Sequence, residues 1–327
     1  MVLKNAGAIV SGYSIDIPTA PSFFDSCKIS ELLEKDERGD ICDHEKLKLS
    51  LNSFKPEILF HLAAQSLVRT SYQDPFTTYR TNVMGTLSVL LAANECSSLS
   101  TILNVTSDKC YENRESERGY LENDPLGGHD PYSSSKACAE ILSSSIRASF
   151  LSGKNKKLAT ARAGNVIGGG DWATDRLIPD FMRAVQGKTK LKIRNPLAIR
   201  PWQHVLEPLE GYLTLVEKLY SDDRYSGAWN FGPDSKDCKN VEYIVSQLCN
   251  SFSGLNGYEV SGSADEVHES HVLKLDCSKA KSALNWSPKL GTEEAVNLTS
   301  TWYQTFFSGG DLRAKTLEQI HAYQNAN

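Results

Sequence analysis

Three stretches read together decide the fold: TILNVTS at Thr101–Ser107, PYSSSKACAEILSSSIRASF at Pro131–Phe150 and KLATAR at Lys157–Arg162. The first is a short run of Ile, Leu and Val that suits a buried strand. In the second, Pro131 pre-sets a first helical turn, and Cys138, Leu142, Ile146 and Phe150 recur every four residues along one stripe. The third is again strand-like, which completes a strand, helix and parallel strand. The same rhythm runs upstream. GAIVSGYSID at Gly7–Asp16 reads as a strand, Lys46–Phe54 as a helix, KPEILFHLAAQ as a strand opened by Pro56, and Pro75–Asn94 as a long helix. This alternation predicts an α/β protein built on a doubly wound parallel sheet, with ligands at the carboxyl ends of the strands.

After Gly170 the rhythm breaks into longer loops, with strand-like LKIRNP and AWNFGP and helices near Val241–Ser251 and Thr292–Phe307. A smaller α/β lobe is expected there. The apolar segment Val205–Leu219 reads as a strand and helix returning to the main sheet, so the lobe is expected to be discontinuous. The expected division is 1–165 for the main domain, with 201–225 returning to it, and 166–327 mainly for the second lobe.

The composition fits a packed globular protein: 327 residues, 40% hydrophobic and 23% charged. A net charge of −5 with no basic stripe argues against a nucleic-acid partner. The eight cysteines form no Cys-x-x-Cys pair, which fits idle thiols in a reducing cytosol better than a disulfide frame or zinc site. No apolar run approaches the ~20 residues that span a bilayer, and the N-terminus lacks the pattern of a signal peptide. Lys154, Lys156 and Lys157 read as a solvated surface loop.

Chemistry concentrates in VTSDKCYEN, Val105–Asn113, with Tyr132 and Lys136 on the helix that follows. A Tyr and a Lys four apart share a helix face, so the ammonium can lower the phenol's pKa and ready it as a base. Taken alone, such a pair is equally an exposed helix pair. Its context, a hydroxyl-bearing strand end at Thr106 and Ser107 and a helix begun by Pro131, resembles the short-chain dehydrogenase/reductase superfamily in its extended, sugar-nucleotide-modifying form. That resemblance implies a Rossmann-type fold with Tyr132 as base, Lys136 also on the nicotinamide ribose of NAD, and Ser107 orienting a substrate hydroxyl.

Asp108 and Lys109 follow Ser107 directly, an acid beside a base, as elimination requires. Many 4,6-dehydratases carry Asp-Glu at this point, whereas SDK resembles the branch acting on CDP-glucose. DPLGGHDPYSSSKACAE, RAGNVIGGGDWATDRLIPD and IRNPLAIRPWQHVLEPL resemble the same branch. The resemblance implies Asp108 as general acid and Lys109 as the base at C5, the alternative being a surface ion pair between them. It places Asn165 on sugar and phosphates, Leu177, Ile178 and Pro179 along the nucleotide, and Arg194, Arg200 and His204 in the substrate site. Without the flanking match, Arg194 and Arg200 would read as surface ion-pair partners. It further implies a homodimer or dimer-based oligomer through the Pro75 and Pro131 helices, a role in cell-surface deoxysugar synthesis, and no metal; an epimerase is the nearest enzymatic rival.

For NAD, GDICD resembles the adenine-contacting segment and points to Asp40 and Ile41, HLAAQ places Ala63 and Ala64 on the cofactor, and Asn82 in TNVMGT matches the superfamily's helix-interrupting Asn. Asp16 stands near where an acidic residue takes the ribose hydroxyls. Gly168, Gly169 and Gly170 lack a dinucleotide fingerprint and read as a flexible rim of the sugar site. His268 and His271 in HESH fall short of a metal set. The resemblance begins inside the first helix, at MVLKNAGAIV, roughly 30 residues short of a complete first βα unit. Loss of that central strand is expected to exceed the ~5 to 15 kcal/mol that keeps a domain folded. Activity is thus expected of the chain with that unit restored, if its start is assigned late or the gene is cut; the alternative is a silent remnant that only pairs with an intact subunit.

Overall fold

The computed structural model describes residues 1–116, 118–260 and 272–326. Strands β1 (Ser11–Ser14), β2 (Lys35–Arg38), β3 (Ile58–His61), β4 (Thr101–Val105) and β5 (Lys157–Ala163) follow one another with helices between them. Further along come β6 (Val166–Ile167), β7 (Leu191–Ile193), β8 (Ile199–Arg200), β9 (Gln203–His204) and β10 (Gly227–Phe231). The main sheet runs β10-β5-β4-β3, parallel throughout, and β4 is central with Thr101–Asn104 fully buried. Burial on both faces explains its unbroken apolar reading.

One apolar cluster fills the side of the sheet covered by the Leu206–Ser221 helix and includes Leu103, Ala161, Leu215, Trp229 and Phe231. Another joins the opposite face to the His44–Phe54 and Thr86–Glu95 helices through Leu47, Leu90, Ile102 and Leu158. A third belongs to the second lobe and centres on Phe181, Trp302 and Tyr303.

Several sequence expectations are altered. The strand that rejoins the main sheet is β10, in the AWNFGP segment, while Val205–Leu219 supplies helix. Its apolar spacing satisfies a helix stripe packed on β4 and β5. The long helix from Pro75 is α-helical at Pro75–Tyr79, π-helical at Arg80–Gly85 and α-helical again at Thr86–Glu95. Lys156 is no solvated lysine: its Nζ donates to the carbonyls of Ala93, Cys96 and Leu99, at the carbonyl-rich end of the Thr86–Glu95 helix. Of the glycines 168–170, Gly168 lines the cleft as a rim residue, but all three are closely packed. A Cβ on Gly169 would stand 2.1 Å from the Trp302 ring, and Gly170, at φ +85, leaves no room beside Phe23.

Strands β1 and β2 form a separate parallel pair, and β1 is not hydrogen-bonded to β3. Tyr13 of β1 and Leu59 of β3 nevertheless pack against the same cluster. The apolar side chains of Ile15, Ile58 and Leu62 around this interval are exposed.

Candidate active site

A cleft of about 420 Å³ opens at the carboxyl ends of β3, β4 and β5. It is lined by Ser107, Asp108 and Lys109 after β4, by Tyr132 on the next helix, by Asn165 after β5, and by Leu177, Ile178, Pro179, Arg194 and Arg200 from the second lobe.

The turn after β4 is built by its own residues. Ser107 caps the short 3-10 turn Asp108–Cys110 by accepting from the Lys109 amide at 3.2 Å, and its Oγ donates to Asp108 Oδ1 at 3.1 Å. Asp108 is 3% exposed, and its Oδ2 has no partner among the described residues. Burial pushes its carboxyl up to about 6, against the opposing pull of Lys109, the Ser107 hydroxyl and Arg200. A buried carboxyl with one unpartnered oxygen, in a residue that lines a cleft, is suited to hold and release a proton near neutrality.

The helix Pro131–Ile146 starts with Asp130 accepting from the Ser133 amide at 2.9 Å, and Pro131 occupies its first turn. That start fixes Tyr132, whose own amide donates to Ser71 Oγ at 3.1 Å. The expected lowering of the Tyr132 phenol is not found. Burial pushes it up to about 12, and the Ser107 hydroxyl, hydrogen-bonded to it, offsets this only in part. One helical turn on, the Lys136 ammonium donates to the Val105 carbonyl at 3.3 Å. Burial lowers Lys136 to about 8, while Glu140 and Cys110 act to raise it. Lys109 Nζ lies 6.0 Å from the centre of the Tyr132 ring.

Four cationic side chains line the cleft, Arg69 from the helix after β3 and three from the second lobe. Arg69 and Arg194 approach Asp175 at 3.5 and 3.9 Å, and Arg176 pairs with Asp171 at 3.1 Å and donates to Ser66 Oγ at 2.9 Å. Arg200 also lines the cleft. Forked guanidinium groups converging on a partly polar cleft suit a diphosphate. Ser66, Arg69, Arg176 and Asp175 were not singled out from the sequence. Ser66 directly follows HLAAQ and Arg176 directly precedes Leu177, so adjacency to motifs was the available signal. Asp175 carries a second one, a left-handed φ of +59 at a non-glycine residue beside a site.

The remaining expected residues lie apart from this cleft. His204 is a correction: it is 2% exposed, its Nδ1 accepts from the Leu206 amide, and burial holds it at about 4, so it is a neutral core histidine behind the wall. Ile41 commits its side chain to the core, where it occupies the space above Gly85 and leaves only its backbone for a ligand. Asp40 is a surface acid. Burial opposes its ionisation, but the Cys42 amide and Arg80, at 2.9 and 2.8 Å, outweigh this and hold its carboxyl below the usual range. Asp16 is exposed beyond β1, and its carbonyl accepts from Ser14 Oγ at 3.1 Å. Ala63 packs against the helix cluster beside Ala64 in the turn after β3. Asn82 is a brace: its amide bonds both ways to the Gln65 backbone, at 2.8 and 2.9 Å, and donates to Ser135 Oγ at 2.8 Å. His268 and His271 lie outside the described residues. The eight cysteines are all unpaired.

Residues 30–299 match the family model for GDP-mannose 4,6 dehydratase. The chain is 47% identical to the CDP-glucose 4,6-dehydratase of Salmonella typhimurium, over 99% of this chain and 91% of that enzyme. Among solved structures it resembles the UDP-glucuronic acid 4-epimerase of Bacillus cereus, at TM-score 0.80 and 20% identity over 93% of each chain. It also resembles the dTDP-glucose 4,6-dehydratase of Bacillus anthracis, at TM-score 0.77 and 20% identity over 95% of this chain and 92% of the other. These two likenesses establish the shared fold, and no described helix is long and apolar enough to cross a membrane. With a family model spanning most of the chain and a closely similar relative spanning nearly all of it, this protein belongs to the GDP-mannose 4,6-dehydratase family of short-chain dehydrogenase-like, nucleotide-sugar-modifying enzymes.

Proposed function

We propose that this protein dehydrates CDP-glucose to CDP-4-dehydro-6-deoxyglucose with NAD as its resident cofactor. The observation that carries the reading is the buried Asp108 in the cleft lining, held at about 6 with one oxygen unpartnered among the described residues and with Lys109 and Tyr132 lining the same cleft. An epimerase has no need of such an acid. The substrate base is supported by the 47% identical relative, which bears that activity.

NAD fits the residues at the nicotinamide end. Among the described residues, the buried Lys136 ammonium reaches only the Val105 carbonyl, so two of its donors can meet ribose hydroxyls. Asp40, the Ile41 backbone, Ala63 and Ala64 would face the adenosine end, and Asp16 its ribose. The described residues include no glycine-rich turn entering a helix to receive the pyrophosphate. NAD held there would supply a hydride acceptor for C4 and a hydride donor for C6. Tyr132 Oη, once it has given up the proton that burial makes it hold up to about 12, would receive the C4 hydroxyl proton, and Ser107 Oγ would orient that hydroxyl. Oxidation at C4 acidifies the C5 proton, which Lys109 as a neutral amine would accept and give back to C5 when the hydride is returned to C6. Asp108 donates its proton to the C6 hydroxyl as that group leaves as water. Asn165, Leu177, Ile178 and Pro179 hold sugar and nucleotide, while Arg194 and Arg200, joined by Arg69 and Arg176, bind the diphosphate.

A homodimer is supported by apolar side chains exposed along the Pro75–Glu95 and Pro131–Leu151 segments, among them Phe76, Met84, Ile141 and Phe150. The eight unpaired thiols support a cytosolic setting. The test is incubation with CDP-glucose, dTDP-glucose and GDP-mannose in turn. Loss of water from CDP-glucose alone supports the reading; dehydration of another of them but not of CDP-glucose overturns the substrate, and a product keeping its C6 hydroxyl overturns the reaction.

A further inference from the structure

Beneath the cleft floor lies a buried polar network that none of the roles above uses. The carboxylate of Glu140, on the helix that carries Tyr132 and Lys136, accepts from Thr106 Oγ1, from Thr160 Oγ1 at 2.8 Å and from Arg162 Nη2 at 2.7 Å. Arg162 in turn donates from Nη1 to Tyr111 Oη at 2.8 Å and to the Glu122 carbonyl at 3.0 Å, with its guanidinium 4.8 Å above the Tyr111 ring. Tyr111 Oη donates a hydrogen bond to Asn230 Oδ1 at 2.7 Å on β10. Glu140 and Arg162 are 4% and 3% exposed.

The placement is specific. Thr106 and Tyr111 bracket the segment Ser107–Cys110, which contains Ser107, Asp108 and Lys109; Tyr111 itself also lines the cleft. One end of that segment is held by Glu140 and the other by Arg162. The pair therefore ties both ends of the catalytic turn to the Tyr132 helix and to β5 at once.

We infer that the Glu140–Arg162 pair is the positioning device of the active site, fixing Ser107, Asp108 and Lys109 in register with Tyr132 and Lys136. Neither residue touches substrate; both act through Thr106 and Tyr111. A buried pair is a costly way to gain stability, since hydrophobic residues of equal volume often serve as well. It does fix geometry, because the guanidinium meets Glu140 from Nη2 and both Tyr111 Oη and the Glu122 carbonyl from Nη1, so each partner's place constrains the others. The inference rests on the proposed roles of Asp108 and Tyr132.

Removing either charge would leave its partner buried and unpaired, and such a variant risks misfolding. Thr106→Val and Tyr111→Phe cut the two ties and keep the pair. With CDP-glucose, each is expected to lower kcat about 10- to 100-fold, the cost of misplacing a reacting group by up to an ångström, with KM changed less than about twofold. The diphosphate-binding arginines are elsewhere, so KM is spared. A purely structural role would lower the melting temperature and leave kcat per folded molecule unchanged. Wild-type kcat with both variants overturns the inference, whereas an inactive wild type refutes the substrate assignment instead. Amide hydrogen exchange decides the inference without any substrate. Faster exchange confined to residues 107–111 in Thr106→Val supports it, and unchanged exchange there refutes it.

Discussion

Replacing Asp108 by Asn removes the proton but keeps the shape and the hydrogen bond to Ser107. With its carboxyl at about 6, Asp108 is protonated in about 9% of molecules at pH 7; at the ordinary value of 3.8 the fraction would be about 0.06%. Burial thus enlarges the competent acid population about 150-fold. A positioned acid contributes roughly 10²- to 10⁴-fold to a rate, and Asp108→Asn should lose most of that in kcat. The assay is the ratio of wild-type to variant rate across pH, which divides out every other titrating group. An acid works only when protonated, so the ratio is fullest below pH 6 and falls about tenfold per unit above it. Relative to pH 6, it should be about fivefold smaller at pH 7 and about fiftyfold smaller at pH 8. A ratio that is flat from pH 5 to 9, or below about three throughout, would refute the assignment of the acid.

Arg69→Ala should raise KM for CDP-glucose about tenfold and leave kcat nearly intact, because a half-exposed guanidinium binds the diphosphate in ground and transition state alike; steady-state kinetics check it. Lys156→Met should cost about 1 to 2 kcal/mol in urea unfolding, through three helix-end carbonyls left without their donor, with kcat unchanged. Gly169→Ala forces a methyl into the Trp302 ring and should destabilise the second lobe by about 1 to 3 kcal/mol, seen as a lower urea midpoint.

Local patterns were the readable part of this chain. The strand and helix alternation to Ala163, the Tyr132 and Lys136 face, and the Ser107–Lys109 strand end depend on spacing along one or two elements, and they appear where the spacing puts them. Features made by distant residues were not readable. Lys156 finds its carbonyls some 60 residues back, and Glu140 meets Arg162 across 22. Tyr132 was expected to be eased by Lys136, but spacing says nothing of burial, and burial governs it. His204 looked like part of a substrate motif because the motif spans both the cleft wall and the packing behind it. The π-helical turn at Arg80–Gly85 left no mark in the apolar period, since it shifts the stripe by only one residue.

The most direct test uses CDP-glucose carrying deuterium at C4, with the product examined by mass spectrometry and NMR. The account predicts loss of one water, retention of the label and its appearance on the new methyl at C6. A product that keeps all its oxygens with the deuterium back at C4 would contradict it.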